Sequence, residues 1–193
     1  GLIGLITPGL LREGLGPLEI AFWRALLGGG IFAVHALAGP GARLRRRGDL
    51  VTFVAFALIG VSAFYASLSL AIDTGGTSLS FILLYSAPVF VLLGAWLLLK
   101  EPMSARKVVL TAVAIFGVLL VAGTEGEGVV VSAASLFWGL LSGLTYASYY
   151  IFGKFLLDRY APATIYAWIM PLGAVGLLPL VSFSAKSVNA WLL

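Results

Sequence analysis

Cysteine is absent from the 193-residue sequence, and histidine occurs once, at His35. Disulfide bonds and thiolate metal sites are therefore excluded, and one histidine cannot build a histidine-based metal site. The sequence also lacks a pair of the HExxH type and a phosphate-binding P-loop, which excludes the corresponding zinc enzymes and nucleotide-driven pumps. We therefore expect neither a metal nor another cofactor.

Charge is scarce as well, since charged residues make up 10% of the chain and apolar residues 61%. An average soluble domain is about a quarter charged and about half apolar. With a mean hydropathy of +1.07, the chain has too little polar surface to cover a core of this size in water. This composition predicts an integral membrane protein.

Long apolar stretches divide the chain into predicted spans, because about 17–25 apolar residues are needed to cross a bilayer as a helix. Helices are required because isolated strands would leave backbone groups unpaired in lipid. We predict seven spans, the first one partial, at 1–11, 17–37, 50–72, 78–99, 107–123, 132–157 and 164–183. The fold class is therefore all-α, a multi-span helical bundle.

Lysine and arginine are distributed unequally between the two sides of the predicted bundle. One side carries only Arg12 and Lys186. The other carries Arg43, Arg45, Arg46, Arg47, Lys100, Arg106, Lys107, Lys154 and Arg159. The positive-inside rule places the richer side, with the loop Ala38–Asp49, in the cytoplasm. We expect the protein to lie in the cell (inner) membrane. The basic cluster Arg43–Arg47 sets the orientation of the protein in the membrane. It is too short and too near a span to indicate nucleic-acid binding, so no nucleic-acid partner is expected.

Two segments of the chain are similar at a constant offset of 145 residues. Glu13 corresponds to Asp158, Pro17 to Pro162 and Trp23 to Trp168. In both copies an acidic turn is followed by a proline that opens a helix. Five spans separate the copies, so the second is inverted relative to the first, as in many secondary transporters.

The repeat also predicts the domain organisation. We expect a first five-helix repeat at 1–123 and the start of a second, inverted repeat at 132–193. The chain begins with Gly1 inside an apolar stretch. We therefore expect that some N-terminal sequence is absent, and that a whole protein would have ten spans.

Three motifs carry a resemblance to a known family. The segments YASLSL at 65–70, SLSFILLYSAPVF at 78–90 and LLKEP at 98–102 resemble the EamA domain of the drug/metabolite transporter superfamily. Arg24 and the pair Gly117–Val118 fit the same pattern, whereas Leu110 stands where the family usually has glycine. The resemblance implies a secondary carrier, an exporter of small metabolites or amino-acid-like compounds by alternating access, without identifying the substrate.

Arg24 lies about two turns into the second predicted span. A charge within the membrane is costly and by default marks a functional site. The alternative is that its side chain snorkels to the interface or forms a structural pair. Glu19, five residues earlier, is only a weak candidate for a partner.

Polar residues form two stripes at helical spacing. They comprise Ser62, Tyr65, Ser69 and Asp73 in the third span, and Ser142, Thr145, Tyr146, Tyr149 and Gly153 in the sixth. Such stripes suit a polar cavity, although small hydroxyls also hold membrane helices together. We expect a midplane cavity lined by the first, third, fourth and sixth spans.

Proline and glycine add two further expectations. Pro88, one turn after Tyr85, and Pro171 should each free a carbonyl and kink their helices, and such breaks can line a binding site. Gly139 and Gly143 form a GxxxG motif, which indicates close helix packing.

The expected substrate-binding and translocation residues are Arg24, Tyr65, Ser69, Tyr85, Pro88, Tyr146 and Tyr149. The expected partners are a small-molecule substrate and the lipid bilayer, and a homodimer is considered as an assembly. Two alternatives to a carrier remain, a non-transporting membrane scaffold and an intramembrane enzyme. The enzyme would need catalytic groups clustered at depth, and none converge in the sequence.

Overall fold

The computed structural model describes residues 2–38, 44–122 and 130–183, and in these ranges the chain is α-helical without a strand. The helices are α1 (Leu2–Arg12), α2 (Pro17–Ala38), α3 (Asp49–Phe56), a π-helical turn (Ala57–Ala63), α4 (Phe64–Leu84), α5 (Ala87–Leu99), α6 (Ala105–Ala122), α7 (Ala133–Leu156), α8 (Pro162–Leu177) and a 3-10 turn (Leu178–Leu180). The predicted all-α membrane bundle is confirmed. Arg43, Lys186 and parts of the predicted loops at 38–49 and 124–131 lie outside the described residues.

Three helical stretches are long and apolar enough to cross a membrane, at Pro17–Leu37, Asp49–Leu84 and Pro162–Leu180, and the shorter Ala87–Leu99 is also apolar. The second stretch has 36 residues, which is more than one crossing needs. It contains α3, the π-helical turn and α4, and it corresponds to the predicted third span together with the start of the fourth.

The chain reverses direction within α4, at Gly76. Phe64 and Leu84 belong to one hydrophobic cluster, whereas in a straight helix twenty residues would separate them by about 30 Å. Gly76 has φ 80° and ψ 167°, a left-handed conformation that glycine adopts without a Cβ penalty. The predicted connection at 73–77 is therefore a tight turn centred on one residue.

The fourth predicted span is interrupted, which corrects the expectation of a single kinked helix. Helix α4 ends at Leu84, and α5 begins at Ala87 with Pro88 in its first turn. Proline is well tolerated there because its missing N–H would have no helical acceptor. At the break, formed by Tyr85 and Ser86, the Ser86 hydroxyl caps the end of α4 by donating to the Leu83 carbonyl at 2.6 Å.

Contacts between helices show their relative directions. Helix α8 runs antiparallel to α2, because Phe22 packs on Phe183 and Phe32 stacks on Tyr166. The α1–α2 turn and the α7–α8 turn therefore lie at opposite ends of the bundle. A Cβ on Gly29 would lie 2.9 Å from the Pro171 ring, so α2 and α8 pack closely.

The GxxxG motif of α7 packs on the helix break, which confirms the predicted close packing. A Cβ on Gly143 would lie 2.7 Å from the Ser86 hydroxyl oxygen and 3.1 Å from the Leu83 carbonyl oxygen. A Cβ on Gly139 would collide with the Leu83 side chain. Both glycines thus allow α7 to approach the interrupted backbone.

Candidate functional site

A cavity of about 520 Å³ lies between five of the helices. Its lining residues come from α2, α4, α5, α7 and α8 and from the break between α4 and α5. They are Arg24, Phe64, Tyr65, Leu68, Phe81, Leu84, Tyr85, Ala87, Pro88, Tyr146, Tyr149, Tyr166 and Met170. Six of the seven residues predicted from the sequence are in this set, and Ser69 is the exception.

The helices that line the cavity differ from the expected first, third, fourth and sixth spans, because α2 contributes Arg24 and two further differences concern α1 and α8. No described residue of α1 lines it, and α8 supplies Tyr166 and Met170. The sequence repeat did not predict that α8 lines the cavity. It compares α8 with α2 and gives no information about which face of α8 points to the cavity. The spacing of Tyr166 and Met170, one helical turn, is the signal that could have placed them on one face.

Arg24 brings a positive charge to this cavity. Seven residues separate it from Pro17 at the start of α2, which places it about 10 Å along the helix. Its guanidinium carbon lies 4.1 Å from the centre of the Tyr65 ring, a cation–π contact. The Nη1 atom is buried and has no hydrogen-bond partner in the described part of the chain.

Tyr65 is positioned by the π-helical turn that precedes it. This turn ends at Ala63, and such insertions re-aim the side chains that follow them and occur often at functional sites. The Tyr65 hydroxyl donates to the Met170 sulfur at 3.6 Å, which joins α4 to α8 across the cavity. The sequence carried no recognised signal for the π-helical turn.

Aromatic rings from α4, α7 and α8 form a continuous series along the cavity. The centre of the Tyr146 ring lies 5.2 Å from that of Phe64 and 5.5 Å from that of Tyr149. The Tyr149 ring centre in turn lies 6.3 Å from that of Tyr166. These separations are typical of favourable aromatic pairs, so the rings of α4, α7 and α8 support one another.

None of the serines and threonines of the two predicted stripes lines the cavity, and three of them bond to backbone. Ser62 donates to the Gly173 carbonyl of α8 at 2.7 Å, and Ser142 and Thr145 donate to carbonyls of their own helix. Ser69 is fully buried and has no partner for its hydroxyl among the residues described. For Ser62 the helix-joining interpretation is therefore correct, and the cavity interpretation holds for the tyrosines.

A second groove of about 640 Å³ adjoins the cavity and shares Tyr146 and Tyr149 with it. It continues along the last turns of α7 past Gly153 to Lys154 and Asp158. The two tyrosines therefore separate the central cavity from a groove that leads to the end of the bundle rich in lysine and arginine.

A polar cluster centred on Glu101 lies at that end. The carboxylate of Glu101 forms ion pairs with Lys107 and Lys154, each at 2.9 Å, and accepts a hydrogen bond from Tyr150. Hydrogen bonds from Lys107 and Lys154 lower the pKa of Glu101 from 4.5 to about 2. The partners of Glu101 thus come from α6 and α7, whereas the neighbouring Lys100 ends α5 in a left-handed conformation.

Glu19, which the sequence offered as a weak candidate for a partner of Arg24, is a buried acid and forms no ion pair with Arg24 in the described structure. It is 1% exposed, and neither carboxylate oxygen has a hydrogen-bond partner within the described ranges. Such an arrangement is costly in an apolar environment. Across the same ranges no group of three or more histidine, cysteine, aspartate or glutamate residues could hold a metal ion.

Fold and cavity together define a multi-pass helical membrane protein whose interior holds a charged, aromatic cavity. The model of the EamA-like transporter family matches residues 1–123, which is well over half of the chain. The protein therefore belongs to the EamA-like transporter family, and the resemblance of its motifs is confirmed. This assignment points to a non-enzymatic transporter.

Curated relatives agree with the family. Two proteins of Archaeoglobus fulgidus, each described as an uncharacterized transporter, are both 28% identical, over 91% and 90% of this chain and 61% and 60% of their own length. The inner membrane transporter YicL of Salmonella typhimurium, also described as uncharacterized, is 27% identical over 70% of the chain and 46% of its own length. The chain thus spans at most about three fifths of these relatives. No solved structure matched it.

Proposed function

We propose that the protein is a secondary carrier that binds small metabolites or amino-acid-like compounds in the central cavity and exports them by alternating access. The observation that carries this proposal is Arg24, a cation in the second span that lines a cavity and has no carboxylate within 4.0 Å in the described structure. A charge at this depth is expensive unless it serves a ligand or a pathway.

The shape of the interior supports a route for the substrate. The groove beside α7 meets the cavity at Tyr146 and Tyr149 and reaches Lys154. By the positive-inside rule this end faces the cytoplasm. In the proposed carrier, substrate enters from the cytoplasm through the groove and passes the two tyrosines to reach Arg24.

The inverted repeat supplies the proposed mechanism of access. Residues 1–123 and the segment from 132 onward would form oppositely oriented bundles that move against each other around a fixed site. The opposite ends at which the α1–α2 and α7–α8 turns lie are compatible with this arrangement. The division into two repeats remains a prediction.

A resistance screen tests the proposal before the substrate is identified. Cells that overproduce the full-length protein are grown with toxic concentrations of amino acids, amines and drugs, and compared with cells that produce Arg24→Gln or the control Arg12→Gln. Arg12 is exposed at the end of α1, so its loss should leave resistance intact. We expect resistance that depends on Arg24, and equal resistance with Arg24→Gln at equal protein levels would contradict the proposal.

A further inference from the structure

We infer that the central cavity takes a planar aromatic compound with a single carboxylate and no amine. This inference rests on the proposed function and narrows its substrate class. It depends on two features of the cavity lining, its charge and its proportion of flat aromatic side chains.

The charge of the lining favours a monoanion. Among the thirteen described lining residues Arg24 is the one cation, and none is an aspartate or glutamate. The planar guanidinium matches a carboxylate with two parallel hydrogen bonds, and Nη1 has donor capacity that the described protein groups do not use. A phosphate dianion would leave one charge uncompensated.

The same lining disfavours an amine. An ammonium group would find no carboxylate in the described wall and would lie near the like charge of Arg24. The aromatic face nearest to Arg24, that of Tyr65, is already covered by that guanidinium, at 4.1 Å. A free amine or the ammonium group of a zwitterion would therefore lose its hydration without an ionic partner.

The aromatic residues favour a planar body. Seven of the thirteen lining residues are phenylalanine or tyrosine, and flat rings prefer offset or edge contacts with other aromatic rings. Tyr166 and Met170 stand on the α8 side, and the Met170 sulfur can adjust to ligands of different outline. An aliphatic acid of the same charge would fill the cavity with fewer favourable contacts.

Phenylpyruvate is a suitable probe. Its one carboxylate is joined to a phenyl ring through a keto group and a methylene group, and it has no amine. Three compounds serve as matched comparisons. 4-Methyl-2-oxopentanoate has the same keto acid head group on an aliphatic body. Phenylalanine has an ammonium group in place of the keto oxygen. Phenethylamine has the ring and an ammonium group but no carboxylate. Binding to the purified full-length protein and counterflow in proteoliposomes are measured for each compound.

We expect phenylpyruvate to bind at least about tenfold more tightly than the two amines. Phenethylamine lacks the carboxylate that would pair with Arg24, and phenylalanine would have to bury its ammonium group without an ionic partner. Arg24→Gln should lower its affinity by at least about tenfold, and Arg24→Lys should recover part of the loss, since the charge is kept without the planar fork. Arg12→Gln should have no effect. Tyr166→Leu should reduce the preference for phenylpyruvate over the aliphatic keto acid.

Three outcomes overturn the inference. They are stronger binding of phenethylamine or phenylalanine, equal binding of the aromatic and aliphatic keto acids, and binding of none of the four compounds. Arg24-dependent counterflow of an amine would leave the carrier function in place while removing this substrate class. Gel filtration of each variant separates loss of binding from loss of folding.

Discussion

The carboxylate of Asp49 is ion-paired with the guanidinium of Arg159 and accepts a hydrogen bond from the Tyr160 hydroxyl at 2.7 Å. Asp49 opens α3, whereas Arg159 and Tyr160 lie in the turn between α7 and α8. The same tyrosine oxygen accepts a hydrogen bond from the backbone N–H of Arg45 at 2.9 Å. A cluster of four residues thus joins three segments at the basic end of the bundle.

Replacing Asp49 tests how much this junction, the cluster of four residues around Asp49, stabilises the protein. Asp49→Asn should lower the free energy of unfolding by about 1–2 kcal/mol, less than the roughly 3–5 kcal/mol of a fully buried pair, because the Arg159 side chain is 33% exposed. Thermal unfolding in detergent measures the change. Asp73→Asn is the control, since Asp73 is exposed, and an equal loss in both variants would show that the junction is unimportant.

The pH dependence of the Glu101 cluster follows from its lowered pKa. Because the folded pKa is about 2 against an ordinary 4.5, the contribution of the ion pairs to stability is complete above about pH 4.5. It is lost as the pH falls from there towards 2. Carbon NMR of labelled glutamate should therefore show Glu101 titrating near pH 2.

Variants of the lysines supply the control for this titration. Lys107→Gln should raise the pKa of Glu101, because it removes the first of the two hydrogen bonds that lower it. Lys100→Gln should change the pKa little, since Lys100 forms no ion pair with Glu101 in the described structure. An ordinary pKa for Glu101 in the unaltered protein would show that these pairs do not form.

The close approach of α7 to the helix break predicts opposite effects of two similar substitutions. Gly143→Ala should destabilise the protein by about 1–3 kcal/mol, because its methyl group meets the Ser86 hydroxyl and the Leu83 carbonyl. Gly117 lies in α6, and a Cβ added there would have no described atom outside its own helical turn within 4 Å. Gly117→Ala should therefore stabilise the protein by about 0.5–1 kcal/mol. Unfolding of both variants in one detergent measures the difference, and equal effects would contradict the packing.

The buried carboxyl of Glu19 is expected to lower the stability of the protein. Glu19→Leu should raise the free energy of unfolding by about 1–3 kcal/mol, because two buried oxygens without partners are replaced by apolar groups. The exposed Glu13 supplies the control Glu13→Leu, and a destabilised Glu19→Leu protein would show that the carboxyl has partners.

Much of the helical bundle could be predicted from the sequence. Lipid requires long apolar helices joined by polar connections, and both are visible in the order of the residues. The break at Tyr85 and Ser86 and the π-helical turn before Tyr65 could not, since both depend on how α4 packs against other helices. The reversal at Gly76 was predicted as a five-residue connection because one positive φ value leaves little trace in composition.

The candidate site was predictable to a similar degree. Arg24 and the tyrosines are conspicuous because charge and hydroxylated rings are rare in apolar helices. Ser69 was placed with them by helical spacing alone, which cannot distinguish a cavity from an interface between helices. Tyr166 and Met170 were missed because the contribution of α8 depends on its antiparallel packing against α2, which is a tertiary property.

The most direct test of the account is the side of the membrane on which two turns lie, since the proposed route requires the groove to open to the cytoplasm. The chain has no cysteine, so Arg12→Cys and Asp158→Cys each introduce one thiol at an exposed position. An impermeant maleimide applied to either side of oriented vesicles should label Arg12→Cys from the outer face and Asp158→Cys from the cytoplasmic face. Labelling of both from the same face would contradict the orientation of the bundle and the carrier mechanism built on it.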